Sequence, residues 1–442
     1  MTPLAKTTTL IAAMLTLALG ALPYAQSTEA ERYWPQWRGP YGKGVSNTAN
    51  PPITWSETQN ILWKVEIPGR GSSSPVVWGD RLFVTTAVPA GVTGDSQHRP
   101  RGGMQPRGMH RFLVMALDRK TGKTIWERVA REQEPHEASH VENGTWASGS
   151  PMTDGQRVFA YFESFGLYAY DMDGKLLWEK DLGDKRMRNQ FGEGSTPVLY
   201  RNTLVVVWDH LGGESFVAAF DSRDGQELWR VPRKEIDTWA TPLVMDVNGR
   251  PQVIVPAMQR TRAYDLENGS VIWESEGLTM NPIPSPVTED GIVYLMSGFA
   301  GSDLKAIRVA DAKGNIDGTS AILWTRDRDT PYVPSPILYD GILYFLKTNS
   351  GLLTAVDAKS GTPHYTLQRL EGVPNVFASP VGARGRVYVP GRDGATLVIR
   401  NASTFEVLAR NTLDDGFDAS PALVDRVMYL RGYKNLYAIA EP

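Results

Sequence analysis

Ala116-Leu117-Asp118-Arg119-Lys120-Thr121-Gly122-Lys123-Thr124-Ile125-Trp126 reads as a strand end, a tight turn and the start of a second strand that carries an indole. The stretch recurs: its echoes end at Trp178, Trp229, Trp273 and Trp324, and Tyr365 holds the place after Asp357-Ala358-Lys359-Ser360-Gly361. A seventh copy is degenerate, with Asn401 for the aspartate and Val407 near the tryptophan position. In four of the five aspartates 118, 171, 221, 265 and 357 a glycine follows four residues later, and Asp171-Met172-Asp173-Gly174 is one residue shorter. That pattern suits an Asx-capped hairpin turn, whose glycine accepts a positive φ. None of the five continues into an EF-hand loop, so turn chemistry is preferred to calcium. An indole that returns once per repeat serves packing between repeats, because one ligand needs one stacking partner whereas every interface needs an anchor. Trp63, Trp126, Trp178, Trp229, Trp273 and Trp324 are the predicted docking set.

Outward from this turn lies a second marker. A Ser-Pro or Thr-Pro pair followed by apolar residues occurs at prolines 75, 151, 197, 242, 286, 336, 380 and 421, with steps of 76, 46, 45, 44, 50, 44 and 41 residues. A period near 45 with four β-rich runs per unit replaces a chain of several domains by one closed array. Proline opening the first strand of a unit costs no central ladder bond. The unit after Pro421 has only two further runs, Val427 to Leu430 and Leu436 to Ile439, and so lacks a fourth strand. Asn60-Ile61-Leu62-Trp63-Lys64-Val65-Glu66 is a spare Trp-bearing strand upstream of the first unit. Trp63 precedes Pro75 by 12 residues, as Trp324 precedes Pro336. The sequence therefore predicts an all-β, eight-bladed β-propeller of four-stranded antiparallel blades, its last blade completed by an N-terminal strand so that no sheet edge stays open.

The 442 residues carry 46 basic and 49 acidic side chains and no cysteine. Near-neutrality leaves no basic field for nucleic acid, and the lack of thiols rules out disulfides, thiolate nucleophiles and iron–sulfur clusters. Lys6, the apolar run Leu10 to Leu22 and Pro23-Tyr24-Ala25-Gln26 are laid out like a secretory signal peptide, too short for the roughly 20 apolar residues of a membrane span. The expected division is signal peptide 1–25, extended segment 26–56 and propeller 57–442. The mature protein is then expected to be periplasmic or secreted, without a membrane anchor and plausibly monomeric.

The Ala-x-Asp-x-x-Thr-Gly-x-x-x-Trp stretch, its repetition and the opening Trp34-Pro35-Gln36-Trp37-Arg38-Gly39-Pro40 resemble the PQQ-like, quinoprotein-type eight-bladed propeller superfamily in its exported bacterial branch, over residues 34 to 440. Both BamB-type assembly scaffolds and quinoprotein alcohol dehydrogenases resemble this blade plan. The dehydrogenase resemblance implies PQQ with calcium, a catalytic aspartate and a pair of adjacent cysteines over the quinone; the cysteines are missing and the other residues match no local motif. The BamB resemblance implies a lipid anchor on cysteine, which is also missing. The favoured reading is a non-catalytic propeller binding a small molecule or protein at the channel mouth, with a PQQ-dependent dehydrogenase as alternative.

Candidate site residues follow from the plan. Reading back from each motif proline along the loop that enters each blade gives Arg70, Trp146, Phe191, Glu193, Asp237, Trp239, Asn281, Tyr332, Phe377, Phe417 and Asp418 around one mouth. Six of the eight loops carry an aromatic there, which core packing does not demand. His140 and Asn143 enter from the long first connection, and Asp209-His210 reach the same mouth from a hairpin. His136-Glu137-Ala138-Ser139-His140 also satisfies the H-E-x-x-H pattern of zinc hydrolases, which needs a helix to put His136 and His140 on one face; Pro135 before it and Asn143-Gly144 after it leave little room for one. Val88 to Arg111, with Arg99, Arg101, Arg107 and Arg111, is expected to be a solvated excursion rather than an anion site. No phosphate-binding glycine loop, Ser-His-Asp spacing or nucleophile elbow occurs.

Overall fold

A computed structural model describes residues 29–91, 107–140, 142 and 144–442. The signal-peptide reading, Arg99, Arg101 and Asn143 lie outside the described residues. Eight antiparallel sheets follow one another along the chain. Blades 1 to 8 occupy residues 76–133, 152–180, 198–233, 243–276, 287–326, 337–369, 381–412 and 422–439. Every innermost strand starts at the residue after the motif proline: Val76, Met152, Val198, Leu243, Val287, Ile337, Val381 and Ala422. Ile61–Glu66 pairs antiparallel with Asn435–Ile439, Trp63 opposite Ala438, and supplies the fourth strand of blade 8.

Burial follows position within the blade. Inner and middle strands are covered on both faces by neighbouring blades, so a run such as Phe112 to Leu117 is buried without alternation. Outer strands keep one wet face, and Ile61–Glu66 alternates half-buried with exposed. The cores lie between blades: Phe83, Val114 and Trp126 of blade 1 pack with Ala160, Tyr168 and Tyr170 of blade 2.

The repeated turn joins one blade to the next. Asp118 Oδ1 accepts from the Lys120 and Thr121 amides, and Asp171, Asp221, Asp265 and Asp357 cap their turns in the same way. The indole of the preceding blade then donates to a carbonyl in that turn: Trp63 to Arg119, Trp126 to Met172, Trp178 to Ser222, Trp229 to Leu266 and Trp324 to Ala358, at 2.8–3.1 Å. Trp273 departs from the expected set. Its N–H goes to the Gln252 side chain of its own blade at 3.2 Å. Blade 5 replaces the Asp turn by an insertion, with a 3-10 turn at Val309–Asp311 and a short strand, Gly314–Asn315, that pairs parallel with Trp273 and Glu274. The insertion buries the indole completely.

The Ser-Pro and Thr-Pro pairs have a role beyond marking strand starts. The amide of each Ser or Thr donates to the hydroxyl of the next: Ser74 to Ser150, Ser150 to Thr196, Thr196 to Thr241, Thr241 to Ser285, Ser285 to Ser335, Ser335 to Ser379, Ser379 to Ser420, and Ser420 back to Ser74, all at 2.9–3.3 Å. This closed belt surrounds the channel.

The long first unit also differs from expectation. Val88 and Arg111 are not in an excursion but paired within the hairpin of Arg81–Pro89 and His110–Asp118. Blade 7 gains a fifth strand, Val45–Ser46, running parallel to Val381–Ala383.

Candidate functional site at the channel mouth

The loops that enter the innermost strands meet over the belt and enclose a cavity of about 310 Å³. Its wall includes the belt residues Ser74, Ser150, Thr196, Thr241, Ser379 and Ser420. Trp37 lines it too, and also lines a second cavity of about 360 Å³ formed by residues 36–47 with blades 3 to 5. The N-terminal segment thus lies across the channel and makes the mouth a cup. Its anchor is Arg38, fully buried, whose guanidinium donates to the carbonyls of Pro336, Pro380 and Lys43. Burial without a carboxylate partner lowers its pKa to about 9.

Of the residues expected at this mouth, His140, Phe191, Glu193, Trp239, Tyr332, Phe377 and Asp418 line the cavity. Trp239 is held by a hydrogen bond from its indole N–H to the Gly192 carbonyl of the neighbouring loop, 2.8 Å. Tyr332 stacks on Phe299 at 4.7 Å. Phe377 carries the Arg392 guanidinium over its ring at 3.9 Å, and Asp418 pairs with the same arginine at 3.0 Å.

The other expected residues that the structure describes do not line the cavity. Trp146 packs on His110 at 4.5 Å and donates to the Glu137 carbonyl. Asp209 is fully buried in an ion pair with Arg233, 2.9 Å. The ring of His210 accepts from the Arg186 amide, and burial together with Lys185 lowers its pKa. Asp237 pairs with Arg188 at 3.1 Å, burial raising its pKa against that attraction. Asn281 is buried in a left-handed conformation, and Phe417 sits in the core edge-on to Tyr437. Arg70 is bridged through its backbone to Ala87. Trp146, Asp209, His210, Asp237 and Phe417 each meet a neighbour from another segment that captures the side chain, which loop position alone does not reveal.

Glu193 belongs to a buried cluster that sequence reading did not assemble. Its carboxylate accepts from the Ser164 amide at 2.9 Å and hydroxyl at 2.6 Å. Glu163 beside it accepts from the Ser195 amide and from the Lys185 ammonium, which lies 4.8 Å over the Trp208 ring. Two carboxylates share one lysine. Burial and the charge of Glu163 push Glu193 up to about 8. His136 Nε2 bonds the Lys185 carbonyl at 2.6 Å and stands 3.9 Å from Glu193.

Residues 136–140 form no helix, so the shared face on which H-E-x-x-H chemistry depends is missing: His136 turns to Lys185 while His140 turns to the cavity and Phe191. Among the described residues no three His, Asp or Glu side chains gather as a metal site. Trp37 and the belt hydroxyls were missed as cavity residues. The signal for the belt was present, since a hydroxyl stood before all eight prolines.

Comparison with known proteins places the chain. A stretch of polyvinylalcohol dehydrogenase from a Pseudomonas species is 27% identical over 248 aligned positions, covering 46% of this chain and 38% of that protein. The chain thus matches less than two fifths of that relative's length. Among solved structures, BamB from Moraxella catarrhalis superposes with a TM-score of 0.56 at 11% identity, over 86% of this chain and 97% of that one. A europium-containing methanol dehydrogenase gives 0.60 at 11% identity, over 92% and 89%. The family profile described as outer membrane protein assembly factor BamB matches residues 110–367, more than half of the sequence. Repeated turns, belt and eight closed blades agree with that match, and the chain belongs to the PQQ_2 family of BamB-type propellers.

Proposed function

We propose that this chain is an exported binding propeller that takes a small ligand in the cup at its channel mouth. The observation that carries the reading is the cup itself: about 310 Å³, walled by Phe191, Trp239, Tyr332 and Phe377, with the belt and Trp37 beneath. Aromatic walls with a few converging polar groups are the usual make-up of a small-molecule site. Export rests on the apolar run Leu10 to Leu22 after Lys6.

The relatedness to polyvinylalcohol dehydrogenase raises a second reading, a quinone-dependent enzyme. The cup does not fit that group well. PQQ carries three carboxylates, and among the described residues no lysine or arginine lines the cup. A calcium ion would need several oxygen ligands, whereas Glu193 is engaged by Ser164 and Asp418 by Arg392.

The test is native mass spectrometry of the protein isolated from its source, followed by rebinding to a variant with alanine at Phe191, Trp239 and Tyr332. Loss of the co-purified ligand with Tm lowered by only a few degrees is the expected result. Retention of the ligand by the triple variant overturns the site.

A further inference from the structure

We propose that the ligand of the cup is an organic cation, an ammonium or methylated ammonium group of about the size of choline. The inference rests on the binding reading above and adds the chemistry of the ligand. Its basis is the juxtaposition of aromatic faces and carboxylates with a missing positive charge. Trp37, Phe191, Trp239 and Tyr332 line the cup together with the carboxylates Glu193 and Asp418, and His140 is the one basic side chain on the wall among the described residues. A cation between aromatic rings is attracted by their quadrupoles, most of all where water is excluded. An anion in the same place would meet the negative faces of the rings and the Glu193 carboxylate, while Asp418 is matched by Arg392.

Two arginines behind the belt, Arg38 and Arg431, are buried on carbonyl and hydroxyl oxygens of the channel wall and do not line the cup, and the basic side chains nearer the carboxylates are matched. Lys185 serves Glu163, Arg188 serves Asp237, Arg233 serves Asp209, and Arg392 serves Asp418 while bonding the Tyr433 hydroxyl at 2.9 Å. Glu193 is different. The groups around it are Glu163 and Ser164 from a hairpin of blade 2, Tyr161 from the adjoining strand, Lys185 from the loop entering blade 3, and His136 from the loop entering blade 2. Lys185 bonds Glu163 and leaves the cluster one positive charge short. Burial first, and then the charge of Glu163, raise the pKa of Glu193, so that a proton can fill that shortage. A cationic ligand fills it directly, and the proton then leaves to solvent.

The test uses the full mature protein and two probes of the same shape, choline and 3,3-dimethylbutan-1-ol, titrated by calorimetry and tryptophan fluorescence. Choline is expected to bind at least about tenfold more tightly than the neutral alcohol. Its Kd should fall by about threefold or more between about pH 6.5 and pH 8.5, with a proton released on binding, because binding favours the ionised carboxylate. E193Q should abolish the pH dependence, and W239L should erase the preference over the alcohol. Should E193Q not fold, the ratio of the two probes on the unmodified protein still decides. Equal binding of choline and the alcohol overturns the cation assignment and leaves the cup as a site. Choline binding that neither E193Q nor W239L alters places it elsewhere and also overturns it. So does an unchanged signal with choline, tetramethylammonium and benzyltrimethylammonium at millimolar concentration. Failure of the binding reading itself is read separately, from the co-purified ligand on the triple-alanine variant.

Discussion

Gly225 lies under the indole of Trp178 with φ +74°, and a β-carbon there would stand 2.8 Å from Trp178 Cε3. The same approach is made by Trp63 on Gly122, Trp126 on Gly174, Trp229 on Gly269 and Trp324 on Gly361. One glycine therefore does two things: it accepts the left-handed backbone that ends the Asx turn, and it leaves room for the neighbouring blade's indole. The two can be separated. Gly341 has φ +77° and open space where its β-carbon would be. G341A is expected to cost only the backbone term, about 1 kcal/mol, whereas G225A adds the displacement of a packed ring, about 1–3 kcal/mol more. Urea denaturation of the two variants checks this, and equal losses would show that the indole does not need the glycine. The Asp, the Gly and the Trp of this device were all legible in the sequence because the device repeats. The exception at Trp273 was not, because the insertion at 309–321 that covers it has no counterpart in the other units.

The strand Ile61–Glu66 comes from the far end of the chain, like Val45–Ser46, and it carries the ring closure. It pairs with Asn435–Ile439, and its Trp63 docks on blade 1. Deleting residues 57–67 removes a half-buried indole, a run of ladder bonds and the cover of an edge strand. The expected cost is about 3–5 kcal/mol for the lost indole packing and ladder bonds together. Association of the deleted protein through the exposed edge should follow. Calorimetry and light scattering test this; an unchanged Tm with no association would mean that blade 8 is complete without the strand. This element was readable because a propeller leaves one vacancy and the chain has one spare strand of the right spacing.

Across the whole molecule the eight-membered belt ties every blade to the next at the axis, where the blades are narrowest. A hydroxyl is required at each step, and both serine and threonine supply it. S335A leaves the buried Ser285 amide without an acceptor and is expected to cost about 1–3 kcal/mol, while S335T keeps the bond and should cost far less. Slowed hydrogen exchange at the Ser285 amide in the unmodified protein and in S335T, but not in S335A, is the matching signature. If the two variants are equally stable, the belt is a consequence of closure and contributes nothing to it.

Local chemistry determined most of what the sequence disclosed: Asp-capped turns, hairpins, strand starts after proline, the count of eight units and the strand that closes them. These features depend on neighbours within a dozen residues, or on a period that is visible once two copies are compared. The cup is another matter. Phe377 faces it while Phe417, in an equivalent loop, is sealed in the core against Tyr437. Trp37 reaches it because Arg38 is fixed by carbonyls of blades 6 and 7, some three hundred residues away. Glu193 gains its raised pKa from burial and from the charge of Glu163, against the pull of Lys185, and only the docking of blade 2 against the next loop brings these groups together. Side chains on loops follow no period, so their direction is set by whichever partner from another blade captures them. That choice belongs to the tertiary structure.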